Sequence, residues 1–373
     1  MSNNRPKGLA GVVAGATAVS EVYGDEGRLV YRGYDIHDLA EQCSFEEVAY
    51  LLWNGDLPTQ AQLDELQKRM VAARRLPESA MDLLSRMPKD AAPMDVLRTV
   101  VSMLGVEDKQ PTPSLDQAVD ITAKVTTILA AFHRFRQGLQ PIEPRPELSH
   151  TGNYIYMLTG REPTPVAAES LGTYFVLLAD HSFNASTFVA RIVASTESDM
   201  YSAVSAAIGA LKGPLHGGAP ALVLDMLMQI GRPEKAEEWM RGQLAKKRPI
   251  MGIGHRVYRA EDPRAEILRE LARRVSDQQF FELALQSEQT ALRLVHENPR
   301  AKRMYTNVEF YSAAVLYASG LSADLFTPTF AASRTAGYTA HVLEQVAEHE
   351  LIRPSVEYIG PTGRQVAPLA QRK

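Results

Sequence analysis

Apolar residues recur at three- and four-residue intervals along most of the chain, which is the period of one face of an α-helix. The pattern is clear in TPVAAESLGTYFVLLAD, MYSAVSAAIGALKG and PALVLDMLMQIG, and glycine or proline punctuates most connections. Only GRLVYRGYDIHDLAE, near the N-terminus, begins with a strand-like alternation. The sequence therefore predicts a mainly α protein and disfavours a doubly wound or all-β fold.

The boundaries of one early helix can be predicted from SFEEVAYLLWNGDLPT. Ser44 is a suitable N-cap, and Glu47 completes a capping box with it. Gly55 and Pro58 follow the apolar residues, so the helix is expected to end there.

Length and composition predict a globular protein of two domains, or of one large domain with a lobe. The chain has 373 residues, which exceeds the size at which a single hydrophobic core usually stops growing. Apolar residues make up 45% and charged residues 23%, enough for a packed interior. With 40 basic and 44 acidic residues there is no overall positive charge to attract nucleic acid, so any anion-binding site must be local.

The sequence favours a cytoplasmic location. Cys43 is the only cysteine, so no intrachain disulfide can form, which suits a reducing compartment. The run GLAGVVAGATAV imitates a signal peptide, but glycines interrupt it and leucine is scarce. No stretch of 18 strongly apolar residues occurs, so a membrane span is not expected.

Two histidines follow or precede apolar helices. His181 in LADHSFNAST follows an acidic residue, and a structural histidine or helix-end cap is the alternative to a catalytic role. His216 in LKGPLHGGAP lies between glycines that would let a ligand approach closely. A Gly-Pro turn with an incidental histidine explains the second segment equally well.

The segment RPIMGIGHRVYRAEDPRAEIL combines a glycine loop with His255, Arg256, Arg259 and Arg264. It lacks the third glycine of GxGxxG, and no strand pattern precedes it, so dinucleotide binding is a poor interpretation. Guanidinium groups offer paired donors in one plane, which favours recognition of carboxylate or phosphate. The alternative is a solvated basic helix start paired with the neighbouring acids.

The segment NVEFYSA contains a carboxylate, Glu309, among aromatic and small apolar residues. Burial there would raise its pKa and make it a usable base near neutral pH. A helix-start carboxylate stabilised by the helix dipole is the alternative. No HExxH motif or close histidine pair occurs, so no metal site is expected.

The order and wording of these segments resemble the citrate synthase family, in the compact form of bacteria and archaea. The resemblance extends from GLAGVVAGATAVS and RLVYRGYDIHDLAE through DHSFNAST, GPLHGGAP and GHRVYRAEDPRA to NVEFYSA, FAASRTAGYTAH and LIRP. It implies an almost entirely helical fold with a large, discontinuous dimerising domain (1–217 and 325–373) and a small domain (218–324) that closes over the substrates.

The resemblance also implies catalytic roles. His216 would hydrogen-bond the thioester oxygen of acetyl-CoA while the carboxylate of Glu309 removes a methyl proton. His255 would polarise the ketone of oxaloacetate, and His181 would help to hold that substrate. Hydrolysis of citryl-CoA would then release citrate and CoA, with no cofactor besides the substrates.

Substrate binding is implied in the same way. Arg264, Arg334 and Arg353 match the arginines that bind the two carboxylates of oxaloacetate, with Arg353 reaching in from the other subunit of a homodimer. The CoA-binding positions comprise the backbone of the loop 249–254 and two basic side chains: Ile250, Gly252, Gly254, Arg259 and Lys302.

Two alternatives remain beside citrate synthase. A 2-methylcitrate synthase would use propionyl-CoA with the same groups, and one methylene changes pocket binding by only about 1–3 kcal/mol. A catalytically impaired CoA-binding or scaffold protein of the same fold is the second alternative. Glu309 supports it, since the family usually has aspartate at this position.

Overall fold

The computed structural model describes residues 7–9, 11–255 and 257–372, so Arg256 lies outside the described residues. Sixteen α-helices and a single small sheet account for the regular structure in this part of the chain, apart from short 3-10 turns. The prediction of a mainly α fold is confirmed.

The N-terminal alternation forms a three-stranded antiparallel sheet of order β1-β2-β3. Its strands are β1 (Ser20–Tyr23), β2 (Arg28–Tyr31) and β3 (Tyr34–Asp35). Ser20 pairs with Tyr31, which in turn pairs with Tyr34.

Two helices follow the sheet, α1 (Ile36–Gln42) and α2 (Phe45–Asn54). The predicted capping box is present, because Ser44 accepts from the backbone of Glu47, whose side chain accepts from the backbone of Ser44. Gly55 ends α2 in the left-handed region, at φ 93°, which glycine adopts without strain.

Eight helices complete the first part of the chain: α3 (Gln60–Ala73), α4 (Glu78–Arg86), α5 (Pro93–Glu107), α6 (Leu115–Arg136), α7 (His150–Thr159), α8 (Pro165–Leu178), α9 (Ala185–Ala194) and α10 (Met200–Leu211). The long helix α16 (Phe326–Glu348) returns among them and packs against α2, α6, α8, α9 and α10. Most of its residues are buried, so it lies at the centre of this core.

Five helices lie between these two parts: α11 (Ala219–Ile230), α12 (Ala236–Ala245), α13 (Pro263–Val275), α14 (Gln278–His296) and α15 (Val308–Ala318). Helices α11 and α13 pack against α15, and α12 packs against α14. Helix α8 contacts both α13 and α15, which joins the two groups of helices. No helix in the described ranges is both long and apolar enough to cross a membrane.

Candidate active site

His255 lies in the loop before α13, where the backbone fixes its tautomer. Its Nδ1 accepts hydrogen bonds from the N–H groups of Val257 (3.0 Å) and Tyr258 (3.1 Å). An accepting Nδ1 places the proton of the neutral ring on Nε2. Burial, and then the charge of Arg264, lowers the pKa of His255 to about 4. His255 is therefore a neutral Nε2–H donor near pH 7.

His181 follows α8 and lies beside His255, with 5.6 Å between the ring centroids. Its Nε2 is 3.3 Å from the hydroxyl of Tyr258. Burial lowers the pKa of His181 well below its ordinary value, and the charges of Arg264 and Arg334 act in the same direction. Two histidines from distant segments thus meet next to two buried arginines.

Arg264 is 2% exposed at the start of α13. Its Nε and Nη2 donate to the carboxylate of Asp262 at 2.9 and 2.7 Å. Burial opposes the charge, but Asp262 holds the pKa of Arg264 above its ordinary value. Arg264 is thus paired with a neighbouring acid, but this ion pair is buried, whereas the sequence alternative was a solvated one. The Nη1 atom of Arg264 takes no part in the pair.

Arg334 in α16 is also buried, at 1% exposure. Its Nε donates to the carbonyl oxygen of Leu178 at 2.6 Å, and its guanidinium lies 4.7 Å from the ring centroid of Phe330. A buried cation without a carboxylate partner in these contacts suits an anionic ligand, because burying an unpaired charge is unfavourable.

His216 lies between α10 and α11 and contacts Ser186 in the first turn of α9. The N–H of Ser186 donates to Nε2 of His216 at 3.3 Å, and its Oγ lies 2.8 Å from the same atom. An accepting Nε2 leaves the ring proton on Nδ1. Burial and then Arg334 lower the pKa of His216 to about 4, so it is a neutral Nδ1–H donor.

Glu309 lies in the first turn of α15, next to the N-cap Asn307. Its Oε2 is buried and has no hydrogen-bond partner among the residues that the structure describes. Burial raises the pKa of Glu309, while the charge of Arg264 and its own backbone N–H act in the opposite direction. The side chain thus lies at a helix start and is half-buried, with Oε2 fully enclosed, which combines the two interpretations of NVEFYSA.

The predicted CoA-binding loop lies directly against the start of α15. Gly252 and Gly254 have φ values of 80° and 91°, and a Cβ on Gly252 would lie 2.6 Å from the Phe310 ring. Asn307 donates from its backbone to Gly252 O (3.0 Å) and from Nδ2 to Gly254 O (2.9 Å). Close packing therefore requires glycine at 252, and the positive φ values favour glycine at both positions, while their contact with CoA stays a prediction.

The remaining predicted residues lie on or near the surface, except Ile250, which is buried in the same loop. Arg259, Lys302 and Arg353 are exposed, and Arg353 lies in the C-terminal segment beyond α16. The backbone of this segment is held at Ile352, whose N–H donates to Ser195 Oγ at 3.1 Å. Within the described residues, no group of three or more His, Cys, Asp or Glu side chains could hold a metal ion.

The sequence did not single out Ser186, Tyr258 or Asp262 as parts of the site. Ser186 and Tyr258 fix histidine ring nitrogens, and Asp262 pairs with Arg264. All three residues lie within or next to the motifs DHSFN, GHRV and DPRA, and this proximity was the signal in the sequence that they belong to the site.

Comparisons with known proteins identify the family of this chain. The family model described as citrate synthase, C-terminal domain, matches residues 8–355. Citrate synthase 2 of Bacillus subtilis (strain 168) is 42% identical over 376 residues, covering 98% of this chain and 99% of that protein. A 2-methylcitrate synthase of Mycobacterium tuberculosis is 43% identical over 357 residues, covering 95% of this chain and 90% of that protein.

A solved structure has the same fold. It is a ternary complex of carboxymethyl coenzyme A and oxaloacetate with the citrate synthase of the thermophilic archaeon Thermoplasma acidophilum. It superimposes with a TM-score of 0.91 at 29% identity, covering 98% of this chain and 99% of that one. This chain therefore belongs to the citrate synthase family and is a transferase-type enzyme that forms a carbon–carbon bond.

Proposed function

We propose that this enzyme condenses acetyl-CoA with oxaloacetate and water to give citrate and CoA. The observation that carries the proposal is the set of three groups with complementary protonation states. His216 and His255 are neutral donors with pKa values of about 4, and Glu309 is a buried carboxylate with a raised pKa.

The first step makes a nucleophile from the methyl group of acetyl-CoA. The carboxylate of Glu309 takes a methyl proton, and the C–H electron pair becomes the C=C bond of the enol(ate). Nδ1–H of His216 donates to the thioester oxygen, where negative charge develops. A donor that acts on charge only as it forms lowers the barrier without binding the substrate too tightly.

The second step forms the carbon–carbon bond. The enol carbon attacks the ketone carbon of oxaloacetate, and Nε2–H of His255 donates a proton to the ketone oxygen as it becomes a hydroxyl. Water then adds to the thioester carbon of citryl-CoA, and the CoA thiol leaves with a proton. The proton held by Glu309 returns to Nε2 of His255 through solvent, so both groups regain their starting states, and the new carboxyl group of citrate releases its proton to water.

Arginines orient the dicarboxylate substrate for this attack. Arg264 and Arg334 lie beside His181, whose pKa responds to both charges. Bidentate pairing with carboxylates would fix the direction in which the ketone faces. Arg353 would complete the set from a second subunit, which makes the active enzyme a homodimer.

The C-terminal segment supports this assembly. Val356, Tyr358 and Ile359 are 90%, 70% and 77% exposed, which is unfavourable for apolar side chains in water. A second copy of the chain would bury them and bring Arg353 to the neighbouring site. The region 218–324 would form the small domain that closes, with 1–217 and 325–373 as the large one.

The chemistry of the site is equally compatible with propionyl-CoA, and the 43% identity to a 2-methylcitrate synthase favours this as the second candidate. An impaired CoA-binding protein is less well supported, because CoA alone requires neither the three histidines nor the buried arginines.

Release of free thiol from acetyl-CoA, dependent on oxaloacetate, tests the proposal. We expect release from acetyl-CoA with a higher kcat/KM than from propionyl-CoA. Preference for propionyl-CoA would assign the second function, and release from neither acyl-CoA would contradict both.

A further inference from the structure

Glu288 in α14 is a buried carboxylate, 3% exposed, that the proposed mechanism does not use. Its Oε1 accepts from Arg269 Nη2 at 2.7 Å and from Thr306 Oγ1 at 2.6 Å. Its Oε2 accepts from Arg269 Nε at 3.2 Å and from the Tyr311 hydroxyl at 2.6 Å. Four hydrogen bonds on one buried side chain are a substantial local constraint, since charge-assisted bonds are about twice as strong as neutral ones.

The two hydroxyl donors lie on either side of Glu309 in sequence. Thr306 directly precedes the N-cap Asn307, and Tyr311 lies in the first turns of α15. A carboxylate from another helix therefore holds both flanks of the segment that carries the proposed base.

The same segment is also held by the glycine loop. Thr306 forms an isolated β-bridge with Ile253, and Gly254 N–H donates to Tyr305 O at 2.7 Å. The backbone around Glu309 is thus fixed from two directions, by the predicted CoA loop and by Glu288.

The side chain of Glu309 has no such restraint at its buried oxygen Oε2. Its Oε2 has no hydrogen-bond partner within the described ranges, so no neighbouring donor holds the carboxylate by that atom. Its position depends on the backbone of 306–311, and a displacement there moves the carboxylate directly.

Arg269 is the cationic partner of Glu288. Its guanidinium pairs with Glu288, forms a second ion pair with Glu261 at 2.8 Å, and lies 5.3 Å from the Tyr311 ring centroid. Burial and then the charge of Glu288 raise the pKa of Tyr311, so its hydroxyl remains a donor.

We propose that Glu288 is the positioning residue of the base, holding Thr306 and Tyr311 so that the Glu309 carboxylate reaches the methyl group of the acyl-CoA. This inference rests on the proposed function, in which Glu309 removes that proton. In this role Glu288 acts on the base only through the segment 306–311, by way of the hydroxyls of Thr306 and Tyr311.

Tyr311→Phe and Glu288→Gln test this role with trideuterated acetyl-CoA. Tyr311→Phe removes one hydroxyl and keeps the ring, so it carries the test even if Glu288→Gln fails to fold. We expect kcat to fall about 10-fold or more, because a shift of about 1 Å in a reacting group costs up to 100-fold. The deuterium isotope effect on kcat should rise, because proton removal becomes the slower step, while KM for oxaloacetate stays within about twofold.

Glu297→Gln is the matched control, because Glu297 is an exposed glutamate whose ion pairs are with Arg241 and Arg293 and not with residues 306–311. It should leave kcat and the isotope effect unchanged. An unaltered isotope effect in both test variants would overturn the inference. This holds even if activity falls, because a smaller folded fraction lowers activity without changing the isotope effect. An inactive wild-type enzyme would instead contradict the proposed function.

Discussion

His216 and His255 present opposite ring nitrogens to the site, although both are neutral. Ser186 donates to Nε2 of His216, whereas the backbone at 257 and 258 donates to Nδ1 of His255. Each contact fixes which nitrogen keeps the proton, so both rings can donate without carrying charge. A pKa of about 4 in each keeps this state over the neutral range.

Replacing Glu309 tests the role of its length and charge. Glu309→Gln should lower kcat by at least about 100-fold, since general bases contribute roughly 10²–10⁴. Glu309→Asp should lower kcat less, about 10- to 100-fold. The backbone of 306–311 is held in place and cannot move towards the substrate to compensate for the shorter side chain. Steady-state kinetics with both substrates measures these effects, and KM for oxaloacetate should change little.

The pH profile gives an independent check of the same residue. Burial raises the pKa of Glu309, so the active carboxylate form is lost as pH falls through a value above the ordinary 4.5. The acid limb of kcat should therefore lie above pH 4.5 in the wild type. If Glu309→Asp turned over faster than the wild type, the longer side chain of glutamate would not be the optimal length for the base at this position.

The sequence identified the residue types of this site better than their contacts. His255 and Glu309 stand out because of the glycines and aromatic residues around them in the chain. Glu288 does not, because its partners Thr306 and Tyr311 follow 18 and 23 residues later and become neighbours only after α14 and α15 pack. A buried acid in an amphipathic helix has no local signature of such a role.

Secondary-structure elements were predicted where local signals determine them. Ser44 and Gly55 carry enough information to set both ends of α2, because capping depends on neighbouring residues alone. The contact of the N-terminal hairpin with the His255 loop could not be predicted in this way. It joins residues more than 200 positions apart, and nothing in GRLVYRG indicates it.

The turn between β1 and β2 lies against this loop at very short range. Arg259 N–H donates to Gly24 O at 2.8 Å. Cβ atoms on Gly24 and Gly27 would lie 2.7 Å from Val257 O and 2.6 Å from Glu261 O. Distances under 3.0 Å to backbone atoms cannot be relieved by a side-chain rotation, so the two elements would have to separate.

Gly24→Ala should therefore destabilise the fold by about 1–3 kcal/mol and lower kcat/KM, because the loop that holds His255 is displaced. Denaturant unfolding and steady-state kinetics measure the two effects. Gly242→Ala is the matched control: no atom lies within 4 Å of its added Cβ on the exposed side of α12. It should stabilise by about 0.5–1 kcal/mol, and equal behaviour of the two variants would refute the packing argument.

At the scale of the whole molecule, one chain lacks part of the proposed site. Arg264 and Arg334 are buried beside His181, but Arg353 is exposed on the segment that follows α16. Val366 and Leu369 on the same segment are 87% and 77% exposed, so these apolar side chains are not buried by the rest of the chain. A twofold assembly that exchanges these segments would satisfy both requirements, since each subunit would then give one arginine and receive one.

Subunit complementation distinguishes this exchange from a site made by one chain. Arg353→Ala and Glu309→Gln should each be nearly inactive as homodimers. In a hybrid dimer, however, the subunit with native Glu309 would receive native Arg353 from its partner and form one intact site. If half the dimers in a reassembled equal mixture are hybrids, activity should recover to about a quarter of the wild-type value.

The matched control pairs Arg264→Ala with Glu309→Gln in the same protocol. Both residues lie in the site of one chain, so each site of the hybrid keeps one defect and no activity should return. Recovery in the Arg353 mixture alone would place that arginine in the partner's site. Failure of both mixtures, with hybrid dimers verified by mass spectrometry, would mean that Arg353 does not cross the interface and that each chain completes its own site.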